Sequence, residues 1–209
     1  WIYQCVLEDK AQGGNLTVIY VASGNVRSAM AAIAHGVNNN RTSIDERSSS
    51  VDRRSRYGDW ELDTTIGKGH KQAIFSHTAR KTKLSLIAKV PRKTADLVAK
   101  AITRLLTPVA DRVHTMTSDN GKEFAHHETI AKALDVDFYF AHPYSSWERG
   151  LNENTNGLLR QYFPKGMDLS NVHQNKLNAV ARRLNERPRE TLNFETPAER
   201  FNQCVASTG

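Results

Sequence analysis

The tightest constraint on this chain is the order in which its hydrophobic pattern changes period. From residue 59, "DWELDTTIG", "QAIFSHTAR" and "LSLIAKV" are alternating runs rich in β-branched residues, with a Lys-rich turn, "KTK", between the second and third. Period-two alternation puts successive side chains on opposite faces and predicts strands. Short connections predict an antiparallel meander of the three, closed by Pro91. The period then lengthens. "TADLVAKAITRLLTPV" carries Leu97, Ile102, Leu105 and Leu106 as an apolar stripe behind Thr94, a predicted N-cap. Strand and helix alternate from there: "RVHTMTSD", "EFAHHETIAKALD", "VDFYFAHP", then a long helix over "SSWERGLNENTNGLLRQYFP", from a Ser cap to Pro164. A last helix, "NKLNAVARRLNERPRE", stops before Pro188. The order β-β-β-α-β-α-β-α predicts an α/β domain on a mixed sheet, three antiparallel strands followed by helix-linked parallel ones, with helices on both faces.

Open α/β sheets bind ligands beyond the carboxyl ends of their parallel strands. Asp119 stands at such an end, in "TMTSDNGKEFAHHE". Asp-Asn-Gly is good turn chemistry, so a strand-to-helix turn is one reading; a metal ligand is the other, and it needs partners. Asp63 inside the first strand and Glu153 on the long helix are the candidates. Converging carboxylates repel one another and call for a cation, and hard oxygen donors select Mg²⁺ or Mn²⁺. Glu153, Asn156 and Arg160 fall at i, i+3 and i+7, one helical face. Each acid also has an ordinary reading: an exposed strand residue, a turn former, a surface helix residue. Spacing alone does not join the three.

Composition narrows the partners. The 209 residues carry a formal charge of +7, which favours a phosphate-rich partner because Lys and Arg displace counterions from nucleic acid. No run approaches the ~18–20 apolar residues of a membrane span. Cys5 and Cys204 lie near opposite ends without CxxC spacing, which excludes a Cys-rich zinc site and fits a cytoplasmic protein. His126-His127 is no metal pair, since adjacent helix residues diverge by ~100°. Residues 1–14 read as a short helix; 15–40 show no convincing periodicity; 41–58, "RTSIDERSSSVDRRSRYG", read either as a solvated linker or as a basic arm against a phosphate backbone.

The stretches "GDWELDTTIG", "TSDNGKEFAHH", "FAHPYSSWERGLNENTNGLLRQYFPKG" and "LNERPRETLNFETPAERF" resemble the catalytic core of DDE-type bacterial insertion-sequence transposases of the insertion-sequence-thirty family, over about residues 41–202. The resemblance implies a ribonuclease-H-like fold and a triad falling on Asp63, Asp119 and Glu153, with two Mg²⁺ or Mn²⁺ ions. It also implies metal-dependent DNA strand cleavage and strand transfer, and a homo-oligomer working on paired DNA ends. It divides the chain into a divergent or truncated segment over 1–40, a basic linker or arm over 41–58, a catalytic core over 59–165 and a helical extension over 166–209. Around the triad, Arg149, Asn152, Asn156, Arg160 and Lys165 are expected DNA contacts, with Asn152, Asn154 and Asn156 reaching phosphate or sugar because Asn in a helix calls for a polar partner. Tyr144 and Trp147 either pack the helix start or stack on a splayed base. Two alternatives stay open: another ribonuclease-H-like nuclease, and a catalytically impaired DNA-binding remnant.

Overall fold

Alternation in the first strand sets the architecture. In the computed structural model, which describes residues 40–68 and 72–206, β2 (Asp59–Ile66) turns Trp60 and Leu62 to one face of the sheet and Glu61, Asp63 and Thr65 to the other. The chain divides into two units, Trp1–Arg41 and Thr42–Gly209, and the described residues lie almost entirely in the second. The helix expected over 1–14 and the interval 15–39 lie outside the described residues.

A six-stranded sheet runs in the order β1-β6-β5-β2-β3-β4. β2, β3 (Ala73–Ala79) and β4 (Ser85–Val90) pair antiparallel, as the short connections require. β5 (Thr115–Ser118) lies parallel to β2, and β6 (Asp137–Phe140) parallel to β5. β1, the short strand Thr42–Ser43, adds parallel to the outer side of β6.

Helices cover both faces. On one, α1 (Ala95–Leu106) and α2 (His127–Leu134) close over Trp60, Leu62, Phe75 and Met116. On the other, α3 (Gly150–Leu159) and α4 (Gln174–Asn185) cover Ile74 and Ile87 with Leu159, Leu177, Val180 and Leu184. Every residue of β3 is therefore buried, His77 among them, between Trp60 and Phe75. Burial holds the His77 imidazole neutral, its pKa pushed down to about 3.

Local sequence explains the helix ends. α5 (Pro197–Ala206) begins with proline behind Thr196, whose hydroxyl accepts from the Glu199 amide at 3.1 Å while the Glu199 carboxylate accepts from the Thr196 amide at 2.8 Å. This is a capping box with proline in the first turn. Asp135 ends α2 in the left-handed region.

Three expectations change. The buried stripe of α1 is Val98, Ala101, Ile102 and Leu106, with Leu97 and Leu105 only partly buried, and Thr94 makes no side-chain cap bond. The apolar stripe is wide enough that Leu97 and Leu105 fall on its margins. The expected long helix from Ser145 to Pro164 is a 3-10 turn (Ser146–Arg149) followed by α3, which ends at Leu159. Residues 42–52, read as linker or arm, pack into the domain. Val51 is fully buried, and Arg47 donates to the Thr117 hydroxyl at 2.8 Å and pairs with Asp52. Among the described residues, no helix is long and apolar enough to cross a membrane.

Candidate active site

Strand register brings the two aspartates together. Glu61 of β2 lies opposite Thr117 of β5. Two residues beyond that pair come Asp63 and Asp119, close enough for one guanidinium, that of Arg149, to reach both and for the Asp119 charge to act on Asp63. Asp119 follows directly on the carboxyl end of β5. Its Oδ1 accepts from the Gly121 amide at 2.9 Å, and Asn120 ties the turn to the Ala141 carbonyl at 2.6 Å. A Cβ at Gly121 would meet the Glu123 carboxylate, so a larger residue there would have to displace that side chain.

α3 seals this face from the side. The Asn156 amide nitrogen donates to Asp63 Oδ2 at 2.5 Å, and its carbonyl oxygen accepts from Thr65 Oγ1 at 3.2 Å. The backbone amide of Thr64 donates to Asp63 Oδ1 at 2.8 Å. Arg149, on the turn before α3, spans the pair: Nη1 lies 3.7 Å from Asp63 Oδ1 and Nη2 lies 3.5 Å from Asp119 Oδ2. Burial pushes the Asp63 carboxyl above the usual carboxylate range. Arg149, the Thr64 amide and Asn156 oppose that shift, and the Asp119 charge adds to it.

Two neighbouring acids are committed elsewhere. Glu61 is buried and bonded to Arg80 at 2.5 Å, and it accepts from the Asn152 backbone amide at 3.2 Å, pinning the first turn of α3 to the sheet. Glu123, on the opposite face, is buried against Lys93 at 2.7 Å and Thr64 Oγ1 at 2.8 Å. Sequence reasoning passed over Glu61, Arg80 and Glu123. The available signal was Glu61 itself, an acid two positions from Asp63 on the same face of the strand.

The expected site residues thus separate. Asp63 and Asp119 are brought together. Glu153 is exposed on α3, three residues before Asn156, and among the described residues no three His, Cys, Asp or Glu side chains are gathered as a metal cluster. Arg160 and Lys165 are exposed. Asn152, expected at DNA, is 1 % exposed with its side chain turned to the sheet, and Asn156 serves Asp63 and Thr65 rather than a phosphate. Both corrections have one cause: the apolar and small residues of α3, Leu151, Thr155 and Leu159, share the buried face with these asparagines. Arg149 points inward to the carboxylates. The donor set at Asp63 and Asp119, all hard oxygen with a cation already between, fits a divalent metal ion.

A cavity of about 280 Å³ opens beside Asp119, bordered by Asn120, His142, Tyr144, Ser146 and Arg149. Tyr144 stands 67 % exposed with a φ of +63°. His142 bonds two carboxylates, Asp45 at 2.8 Å and Glu148 at 2.9 Å, which fastens this loop to the segment after β1. His127, by contrast, is buried against Phe140, while His126 turns outward to Asp96.

No protein-family model matches the chain. It is 45% identical over 206 residues to the transposase for insertion sequence element IS4351 of Bacteroides fragilis, covering 98% of this chain and 63% of that protein. It is 42% identical over 166 residues to the transposase for IS1086 of Cupriavidus metallidurans, covering 79% and 49%. Against transposase InsI for IS30A of Escherichia coli it is 40% identical over 170 residues, covering 81% and 44%. The chain therefore spans from under half to under two thirds of the length of these relatives. Among solved structures, the catalytic core domain of BIV integrase matches with a TM-score of 0.56 and 23% identity, over 72% of this chain and 97% of that one. Over most of its own length the chain is similar in sequence to insertion-sequence transposases, that of IS30A among them, and its fold is that of an integrase catalytic core, ribonuclease-H-like.

Proposed function

We propose that this chain is the catalytic core of a DDE-type transposase, which displaces one oxygen of a DNA phosphodiester in line and then joins the freed 3′-hydroxyl to target DNA. The observation that carries the reading is Asp63 beside Asp119 at adjacent strands of an integrase-type sheet, with one cation already drawn between them. Asp63, Asp119 and Glu153 would hold two Mg²⁺ or Mn²⁺ ions. When bound, such ions activate the attacking oxygen and neutralise the departing one. Glu153 supplies the third carboxylate from α3, about 4.5 Å along the helix axis from Asn156.

The chain's own residues do the rest. Asn156 and the Thr64 amide fix the Asp63 carboxylate so that one rotamer faces the site. Arg160 and Lys165, exposed beyond Glu153, meet phosphates along the bound strand. Tyr144 offers an open ring on which a splayed base stacks. The protein acts as a homo-oligomer on paired DNA ends, in the cytoplasm with the nucleoid.

The test incubates the full chain with supercoiled plasmid and Mn²⁺ or Mg²⁺. Nicked circles that vanish with chelator and with Glu153→Gln, while the variant still retards plasmid, support the reading. A wild-type chain that binds plasmid without nicking it is a DNA-binding remnant, and one that cuts only RNA–DNA hybrids is another ribonuclease-H-like nuclease. Either result, or a Glu153→Gln chain that nicks normally, overturns it.

A further inference from the structure

We infer that Arg149 is the resident counter-cation of the Asp63–Asp119 pair and that a divalent ion binds by exchanging with it. This rests on Asp63 and Asp119 being the metal ligands. Its guanidinium is largely shielded, with 12% of the side chain exposed, and it reaches both carboxylates and the Leu62 carbonyl, at 3.3 Å. A surface arginine poised for DNA would instead point its fork outward.

The contacts are those of a cation held by charge and not locked by fit. A guanidinium committed to one carboxylate makes short paired bonds of ~2.7–2.9 Å. Arg149 stands 3.5 and 3.7 Å from its two partners, and its buried Nε has no hydrogen-bond partner. Arg80 is held differently: it meets Glu61 at 2.5 Å and also donates through Nε to the Val51 carbonyl at 3.2 Å. One positive charge between two negative ones leaves the pair with a net negative charge, so a divalent ion is still attracted. Once it enters, it neutralises both carboxylates and repels the guanidinium. Arg149 sits on a 3-10 turn bordering the cavity that holds exposed Tyr144, so it swings out beside the path of the bound strand, where a phosphate is its next anion.

Exchange has a measurable signature without DNA. A metal that binds only when Arg149 has withdrawn has its affinity lowered by the fraction of molecules in that state. Mn²⁺ binding, followed by the electron paramagnetic resonance of the free ion and by calorimetry, is compared in wild type, Arg149→Gln and Arg149→Lys. The expected result is a gain of about tenfold in Mn²⁺ affinity for Arg149→Gln and a smaller gain for Arg149→Lys, whose single ammonium cannot span both carboxylates. In chelator, Arg149→Gln melts below wild type, and saturating Mn²⁺ closes the gap. Unchanged or weaker Mn²⁺ binding in both variants overturns the inference; should Arg149→Gln not fold, Arg149→Lys decides alone. Asp119→Asn separates the two levels. If it keeps wild-type Mn²⁺ affinity, the ligand assignment has failed; if it loses Mn²⁺ while both Arg149 variants bind as wild type, only the exchange has.

Discussion

Replacing Arg80 by Met should be the most damaging single charge removal in this domain. The Arg80 guanidinium is 2.5 Å from Glu61 Oε1, with side-chain exposures of 7% and 1%. At an effective dielectric constant of about 20, two unit charges at that distance attract by about 6–7 kcal/mol before desolvation is counted. Desolvation is large at both ends. Burial pushes the Glu61 carboxyl up and the Arg80 guanidinium down, and in each it is the largest influence, ahead of the partner's charge. The pair as a whole therefore contributes little net stability, whereas a lone Glu61 left in the core costs about 3–5 kcal/mol. Arg80 also holds the Val51 carbonyl, and Glu61 holds the Asn152 amide, so the 49–52 turn and the head of α3 loosen together. For a domain of this size about 1 kcal/mol moves the melting temperature by about 2–4 °C, so Arg80→Met should melt about 10 °C below wild type. The assay is urea and thermal unfolding of wild type, Arg80→Met, Glu61→Gln and the double variant. The double variant should recover most of the loss, because no charge is then stranded. An Arg80→Met protein melting within about 2 °C of wild type would refute the argument, and so would a double variant no better than the single.

Asn156→Ala should slow metal-dependent strand cleavage by about 10–100-fold, the usual cost of losing a group that orients a ligating carboxylate, and the nicking assay reads it directly. Unchanged cleavage would mean that the bond to Asp63 positions nothing. The imidazole of His142 is held above the ordinary histidine range, first by its hydrogen bond to Glu148 and then by the charges of Glu148 and Asp45, with partial burial opposing. A pKa raised on folding gives stabilisation that is complete below the unfolded value, about 6.5, and fades as pH rises through the folded one. Amide exchange in 141–149, corrected for intrinsic rates, should therefore be slower near pH 6 than near pH 8.5, and His142→Gln should remove the difference; a pH-independent wild type would contradict the role given to the His142 contacts with Asp45 and Glu148.

Much of this protein is written locally. The alternation of Trp60 and Leu62 against Glu61 and Asp63 is a property of nine consecutive residues, and it predicts β2 without a tertiary structure. Proline and a Thr/Glu pair start α5 in the same self-contained way. Asp119 could be singled out because strand ends announce themselves through turn chemistry, and the long motifs around Glu153 carry the family likeness whatever the side chains touch.

The site's working parts were not legible, because each depends on a partner far along the chain. Asp63 meets Asp119 only through the parallel register of β2 and β5. Asn156 reaches Asp63, and the Asn152 amide reaches Glu61, across separations of more than ninety positions. Helical spacing put Glu153, Asn156 and Arg160 on one face, but it could not say that Asn156 would be buried against Asp63 while Glu153 and Arg160, the latter just past the end of α3, stay exposed. Residues 41–58 have the composition of a solvated arm, but Arg47 and Val51 found buried partners on the sheet. Arg149 is the sharpest case: its sequence neighbours make it a plausible DNA contact, and only the convergence of two strand ends makes it the cation between two aspartates. Backbone preference and hydrophobic period are set by neighbours in sequence; charge pairing is set by neighbours in space, and those exist only once the sheet has closed.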